Sequence, residues 1–348
     1  MNDAQPSSET GFAFATCQRG AEHALEAEVR RLWPTLRAAY RRPGIATFKV
    51  SAEAREAGLG ELPLAPVFGR AWGWSLGLAR SAADVRAAAA RVPGGVGAVH
   101  VFERDRWRPG EHPPAHVPGV RAAAVEAELT GTSAGGQSVL DVVVSVDDDP
   151  WIVGWHRRGP AHAPFPGGLV PLQVPDDAPS WNYRKIEEAL ALAGLEPRAG
   201  ETALELGAAP GGASYALVRR GLHVIAVDPQ PMDRIVSEEA ARHGLPFRHI
   251  KLPMAAVTLE ELPAHVDWLV MDVHLAPPVA MHGLARYLAR YKKTLRGVVL
   301  MLKLNTWELA SQIPMWLERL DGLGLAKPVA RQLPSNRQEI CVTARGRD

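Results

Sequence analysis

The stretch Ala203–Leu217, ALELGAAPGGASYAL, constrains this chain most. An apolar run that reads as a buried strand closes on Glu205 and Gly207, Ala-Ala-Pro-Gly-Gly follows, and a helical pattern begins at once. Glycines at the exit of the first strand of a doubly wound sheet let a ligand approach the backbone and let helix N-terminal amides point at it. The spacing Gly207-x-x-x-Gly211-Gly212, with Pro210 inside, is not the G-x-G-x-x-G of a dinucleotide site. Gly207 allows the tight turn, and Gly211 and Gly212 are read as leaving room for a bulky group. The next strand, HVIAV, ends at Asp228, about 20 residues on, where a carboxylate can accept both ribose hydroxyls of a nucleoside. Loop and carboxylate together indicate a nucleoside-bearing cofactor other than NAD.

The surrounding pattern supplies the sheet that such a loop needs. A Pro/Gly-crowded stretch over His162–Ser180 breaks every hydrophobic period and marks a domain boundary. Beyond it, Ser180 can cap a helix through WNYRKIEEALALAGL. TALEL, HVIAV, PFRHI, VDWLVMDV and GVVLMLKL then read as strands. They alternate with helices from about Gly212 to Arg220, in a polar segment after Asp228, in the basic LARYLARYKKTL and in TWELASQIPMWLERLDGL. That alternation means a parallel sheet wound on both faces, and KPVARQL and QEICVTAR lie close enough to pair as a hairpin. Upstream, GFAFAT, ATFKVS, WGWSLGLA, AVHVFERD, VLDVVVSVD and PWIVGWH read as strands. AEHALEAEVRRLW, SAADVRAAAARV and GVRAAAVEAEL read as helices, giving an α+β pattern. Residues 1–10 are polar, with no apolar leader core, and read as a mobile tail.

Composition removes several functions. Among 348 residues the net charge is +1, so nucleic-acid binding must come from local patches rather than a global field. Cys17 and Cys341 make neither a disulfide framework nor a zinc set, so no metal is expected, and they suit a reducing cytoplasm. No run approaches the roughly 20 apolar residues of a bilayer span. We therefore expect a cytoplasmic monomer with no membrane partner. Trp72, Trp74, Trp151 and Trp155 read as core or sheet-face residues.

LELGAAPGGAS resembles the S-adenosylmethionine loop of the FtsJ superfamily of methyltransferases, usually D/E-L-G-x-x-P-G-G. The resemblance covers the C-terminal half. It implies an α/β fold, with a Rossmann-like methyltransferase domain over 166–348 whose mostly parallel sheet ends in an antiparallel hairpin. It also implies a Lys-Asp-Lys-Glu tetrad for ribose 2′-O-methylation. Four positions match in order: Lys185 before the loop, Asp272 ending WLVMD, Lys303 ending VVLMLK, and Glu339 on the last strand. APSxxxxKxEEA and ARQLxxxRxEixV are similar to the RlmM-type branch, which acts on large-subunit ribosomal RNA. In that branch a THUMP-bearing region precedes the catalytic domain. TCQRGAEHALEAEV is similar to its start, so 11–165 is expected to be an α+β THUMP-like RNA-binding region, divisible into a ferredoxin-like 11–70 and a THUMP-like 71–165.

By this resemblance the cofactor is S-adenosylmethionine, held by Asn182, Glu205, Gly207, Ala209, Pro210, Gly211, Gly212, Asp228 and Asp272. Two departures stand out. The loop opens on Glu205 rather than the commoner Asp, and Phe247–Met254 offers His249 and Lys251 where the family carries an acidic residue toward adenine. Methyl transfer to a hydroxyl needs positioning and a group that helps remove the proton. A lysine is normally protonated; burial and a second cation lower its pKa, while a paired carboxylate raises it. Lys303 is the candidate nearest the hydroxyl proton, Asp272 would hold Lys303, and Lys185 and Glu339 would orient the ribose. For RNA, Arg157 and Arg158 with His156 and His162 form one local patch. Arg290, Lys292 and Lys293 with Arg286 and Arg296 form another. Two other readings keep the loop: a methyltransferase of the same fold with another acceptor, and an RNA assembly factor that retains only the pocket.

Overall fold

The computed structural model describes residues 11–52, 65–106, 120–133, 135–145 and 148–347. The tail read at 1–10 and the start of the helix read from Gly119 lie outside the described residues. The chain divides into two compact units, Met1–Pro171 and Leu172–Asp348.

The first unit is built on one seven-stranded sheet. Its strands are β1 (Phe12–Cys17), β2 (Leu36–Arg42), β3 (Ile45–Val50), β4 (Gly69–Ala79), β5 (Val96–Glu103), β6 (Ser138–Val144) and β7 (Trp151–Arg157). The order is β2-β3-β1-β4-β7-β6-β5, and β1–β4 pairing carries the ladder from the strands of 11–70 into those of 71–165. Among the described residues of this unit, only β5 and β6 pair in parallel. Helix α1 is Glu22–Leu32, α2 is Ala82–Ala89 and α3 is Val120–Glu128. Ser81 and Asp84 close a capping box at the start of α2. β2 has no counterpart in the sequence reading, because LRAAYRR is an edge strand exposed at all but its first residue and so shows no alternation.

All of β6 is buried, including Asp141. That carboxylate is met by His156, whose Nδ1 lies 2.5 Å from Oδ2. His156 stacks on His162, which in turn leans on Trp72. Of the two histidines grouped with Arg157 and Arg158, His156 is buried on its Asp141 contact, and His162 is half-buried with its ring between those of His156 and Trp72. Trp72, Trp74 and Trp155 are buried and Trp151 is half-buried, in line with their apolar strands.

The second unit has β8 (Thr202–Leu206), β9 (His223–Val227), β10 (Phe247–Ile250), β11 (Trp268–Asp272), β12 (Gly297–Lys303), β13 (Leu325–Arg331) and β14 (Glu339–Gly346). Their order is β10-β9-β8-β11-β12-β14-β13. β8 to β12 pair in parallel, while β14 runs antiparallel to both β12 and β13. The hairpin thus inserts its second strand against β12. An antiparallel strand begins at the edge where its parallel neighbours end, so the first residue of β14 joins the carboxyl ends of the others. Ligands of open α/β sheets bind at that edge.

Helices α4 (Asn182–Ala193), α5 (Gly212–Arg219), α6 (Arg234–Arg242), α7 (Pro277–Tyr291) and α8 (Ile313–Gly322) connect these strands. Tyr183, Ile186 and Leu190 of α4 pack with Tyr215, Ala216 and Val218 of α5 over Val224, Val270 and Val299. Three helix boundaries differ from the sequence reading. Trp181, not Ser180, takes the N-cap place of α4, and the Ser180 hydroxyl accepts from the Asn182 amide at 3.4 Å. α7 starts seven residues before LARYLARY, at a proline pair that suits a first turn. The TWELASQIPMWLERLDGL segment splits into a 3₁₀ stretch, Trp307–Gln312, and α8, because Pro314 has no N–H to continue an α-helical ladder.

Candidate active site

Lys185, Asp272, Lys303 and Glu339 come together at the carboxyl edge of the second sheet. Asp272 ends β11, Lys303 ends β12, and Glu339 opens β14 directly opposite Lys303 in the ladder. Lys185 reaches in from the first turns of α4. Lys185 Nζ lies 3.1 Å from Asp272 Oδ2 and 2.6 Å from Glu339 Oε1. Lys303 Nζ lies 2.7 Å from Asp272 Oδ1 and pairs with Glu339 Oε2. Each ammonium bridges both carboxylates, so the four side chains close a neutral ring, with Lys185, Asp272 and Glu339 all buried.

The ring sets its own protonation. Burial opposes charge on Asp272, but the ammonium groups of Lys185 and Lys303 outweigh it and hold the carboxyl below its ordinary range. Burial would likewise lower Lys303, yet the Asp272 and Glu339 carboxylates more than offset this and hold its ammonium above the usual lysine range. The resting arrangement therefore keeps Lys303 charged; its pairing with two carboxylates, not its burial, decides the sign.

The glycine loop lies on the neighbouring strands. The amides of Gly207 and Ala208 donate to Val227 O at 2.9 and 3.3 Å, and the Asp233 amide donates to Pro210 O at 2.8 Å. Asp228, just past β9, accepts from the Ala209 amide through Oδ2 at 3.1 Å and from the Gln230 amide through Oδ1 at 2.8 Å. Gly207 has φ of 83°, and a Cβ there would stand 2.5 Å from the Asp272 carbonyl, so the turn out of β8 tolerates no side chain. The other two glycines are also required by packing. A Cβ on Gly211 would meet Val236 of α6 at 2.6 Å, and one on Gly212 would meet Ser180 Oγ at 2.3 Å. The space they leave is filled by α6 and by the turn into α4, and this packing holds α4 against the loop.

Glu205 is fully buried beneath the loop. Its Oε2 accepts from Ser214 Oγ, while Oε1 has no hydrogen-bond partner among the described residues. Burial, reinforced by the charges of Asp272 and Asp228, pushes its carboxyl up to about 8. Three adjacent strands, β8, β9 and β11, thus present carboxyl groups at one edge. The carboxylates of Asp228 and Asp272 suit S-adenosylmethionine, a ligand that carries an ammonium and a sulfonium, with Glu205 buried beneath them. Where the sequence lacks an acidic residue toward adenine, His249 Nε2 lies 2.9 Å from the Asp228 carbonyl, which can only accept its proton, and Lys251 is exposed. Asn182 stands at the first position of α4, half-buried.

The sequence reading missed a second buried pair on α4. Arg184 and Glu188 are both 0% exposed, with Arg184 Nε donating to Glu188 Oε1 at 3.0 Å. An arginine and a glutamate four apart on an otherwise apolar helix face were the available signal. Among the RNA candidates, Arg157, Arg158, Lys292 and Lys293 are exposed. Arg290 is exposed but ties back to Leu262 O at 3.3 Å, while Arg286 holds the carbonyls of Ala255 and Val257 and Arg296 pairs with Glu201. Those three arginines fasten α7 and the start of β12 to their own unit.

Residues 182–311 match the FtsJ-like methyltransferase family. The second unit is an FtsJ-like domain of the S-adenosylmethionine-dependent methyltransferases. The chain is also similar to proteins named ribosomal RNA large subunit methyltransferase M. That of Laribacter hongkongensis is 33% identical over 218 residues, covering 58% of this chain and 54% of the relative. That of Tolumonas auensis is 29% identical over 238 residues, covering 65% and 62%. The match spans little more than half the length of these curated relatives. Among solved structures, TrmN from Thermus thermophilus aligns over 96% of this chain and 99% of its own at 19% identity, with a TM-score of 0.35.

Proposed function

We propose that this protein transfers the methyl group of S-adenosylmethionine to a ribose 2′-hydroxyl of large-subunit ribosomal RNA. The observation that carries the reading is the closed Lys185–Asp272–Lys303–Glu339 ring beside the glycine loop. Acceptors that are already nucleophilic, such as amines, do not need two lysines bridging two carboxylates. A hydroxyl does, because its oxygen must be oriented and its proton managed at the same point. The name shared by the relatives supports the RNA class.

In this reading Asn182, Glu205, Gly207, Ala209, Pro210, Gly211, Gly212, Asp228 and Asp272 hold the cofactor, which supplies an electrophilic methyl carbon when bound. Asp228 accepts from the ribose hydroxyls of the cofactor with the lone pairs its two amide contacts leave. Lys185 and Glu339 orient the acceptor ribose, and Lys303 faces the 2′-oxygen. Its ammonium first donates to that oxygen and fixes a lone pair for attack. To carry the hydroxyl proton away it must first give its own to solvent, and a substrate that separates it from one carboxylate favours that loss. All four ring members come from one chain, consistent with a monomer at work.

The first unit, with Arg157 and Arg158 at the end of β7, selects the RNA as a THUMP-like region over 11–165. Lys292 and Lys293 add phosphate contacts from the domain at 166–348. The reaction belongs in the cytoplasm; among the described residues no helix is long and apolar enough to cross a membrane. Mapping ribose methylation across ribosomal RNA from cells lacking this protein tests the proposal. One large-subunit nucleotide should lose its 2′-O-methyl group and regain it when purified protein and S-adenosylmethionine are added. An unchanged map would overturn the reading.

A further inference from the structure

Three ring members are set by the sheet, since Asp272, Lys303 and Glu339 sit on hydrogen-bonded strands in fixed register. Lys185 is not: it reaches the ring from α4, outside every ladder. Something must hold that helix against the segment that leads into Glu339. The Glu188 carboxylate, one turn beyond Lys185, does so through one oxygen while the other is held within the helix. Oε1 accepts from Arg184, and Oε2 accepts from the Ser335 backbone amide at 2.8 Å. Trp181, at the head of the same helix, donates from Nε1 to the Ser335 carbonyl at 3.2 Å. The Arg184 guanidinium lies over the Trp181 ring, 5.1 Å from its centre. One residue, four before Glu339, is therefore held by α4 and its cap through both its backbone N–H and its backbone C=O. The segment around it, Gln332 to Asn336, is buried.

We infer that Glu188 is a positioning residue for methyl transfer, fixing Lys185 against Glu339 by tying α4 to the Ser335 peptide. The inference rests on the proposed function for its kinetic consequence but not for its geometry. A buried carboxylate paired with a buried arginine is a weak source of stability by itself, since desolvation offsets the attraction. What it contributes here is set by where its second oxygen goes. Small displacements of reacting groups are costly, on the order of 10²-fold for about 1 Å.

The test separates the charge pair from the tether. Arg184→Met with Glu188→Gln removes both charges and keeps an acceptor for the Ser335 amide. Arg184→Met with Glu188→Met removes both charges and the acceptor. Both should fold and bind cofactor, since α5 and Asp228 are untouched; affinity is measured for each, and rates are compared at saturating cofactor because Asn182 lies on the same helix. In single-turnover transfer to ribosomal RNA, the first should stay within about tenfold of wild type and the second should fall by a further ~10²-fold. Equal rates in two folded double variants would overturn the inference. If the Met/Met protein does not fold, Glu188→Asp, whose shorter side chain keeps the charge but draws the carboxylate back from the Ser335 amide, takes its place, and an unaltered rate there overturns it equally. Crystal structures of the same proteins give a readout independent of activity. Lys185 Nζ should leave Glu339 Oε1 when the acceptor is lost and stay when it is kept; an unmoved lysine sinks the inference. A wild-type protein that methylates no ribosomal RNA would instead sink the functional proposal and leave this structural comparison standing.

Discussion

Lys303 and Glu339 are register partners across the β12–β14 ladder, and their side chains pair at its end. The strand insertion that makes β14 antiparallel is what brings them together. A parallel strand in that place would start at the opposite edge of the sheet and leave Lys303 with Asp272 alone. The topology of the last hairpin is therefore part of the site's chemistry.

Lys303→Ala should lower the methyl-transfer rate by roughly 10²–10⁴-fold, the span for a positioned acid–base group. Cofactor affinity should hardly change, because the proposed role puts this side chain at the acceptor. Lys303→Arg should not restore the rate, since a guanidinium keeps its proton and its planar fork replaces a point donor poorly. Asp272→Ala should cost as much and weaken cofactor binding too. Single-turnover transfer of labelled methyl, with binding measured separately, decides; a wild-type rate in Lys303→Ala would remove it from the reaction.

Asp228→Ala should weaken binding of S-adenosylmethionine and of its demethylated product. Charge-assisted hydrogen bonds are each worth about 1.5–3 kcal/mol, and the substitution also frees the Ala209 amide that shapes the loop. Titration calorimetry on both proteins checks this. Equal affinities would place the ribose elsewhere.

Much of this was legible in the sequence, and the exceptions share a cause. The alternation of strands and helices around the loop follows from periodicity and Asp228 from its place at a strand end, while the four ring positions came from the resemblance of their motifs to the FtsJ superfamily. β2 was invisible because an edge strand need not alternate. The packing that Gly211 and Gly212 permit was invisible because spacing shows where side chains are absent, not which neighbours, here Val236 of α6 and Ser180, would meet them. His156 looked like part of a basic surface until Asp141, fifteen residues upstream, was found across the β6–β7 pair. Contacts between elements distant in sequence, such as Glu188 with Ser335, leave no local trace.

The two units should be separable in function. A fragment comprising residues 172–348 contains the whole second sheet, its core and the ring, so it should fold and bind cofactor with near wild-type affinity. It lacks Arg157 and Arg158, and so should methylate the cognate RNA poorly and with a shallower salt dependence. Wild-type efficiency at the same nucleotide from this fragment would refute the division of labour.

Glu205→Gln should flatten the dependence of stability on pH. The native carboxyl, with its pKa near 8 against 4.5 ordinarily, binds more protons than the unfolded chain between those values. Stability therefore falls as pH rises from about 4.5 to about 8, by up to about 1.4 kcal/mol per unit. Gln cannot ionise, so the variant loses this slope. Glu28, raised to about 7 by burial, adds a slope of the same sign but is present in both proteins and cancels in the difference. Unfolding in denaturant at pH 5 and pH 8 measures it. An identical pH dependence in the two proteins would show that Glu205 is ionised in the native state.

The pH–rate profile tests how Lys303 handles its proton. Two carboxylates hold its ammonium above the ordinary lysine range. Only the deprotonated fraction can accept the hydroxyl proton, and below the pKa that fraction grows tenfold per pH unit. With saturating cofactor, the wild-type rate should therefore climb across about pH 6–10 without levelling. Glu339→Gln leaves Asp272 as the one carboxylate against Lys303, so the ammonium is held less tightly and its pKa falls. The variant should be slower, because Glu339 also orients the ribose, yet its profile should level at a lower pH than that of wild type. The position of the bend, not the height of the curve, carries the information. A variant profile that bends at higher pH, or tracks the wild-type slope throughout, would mean that the proton leaves by a route that does not involve Lys303.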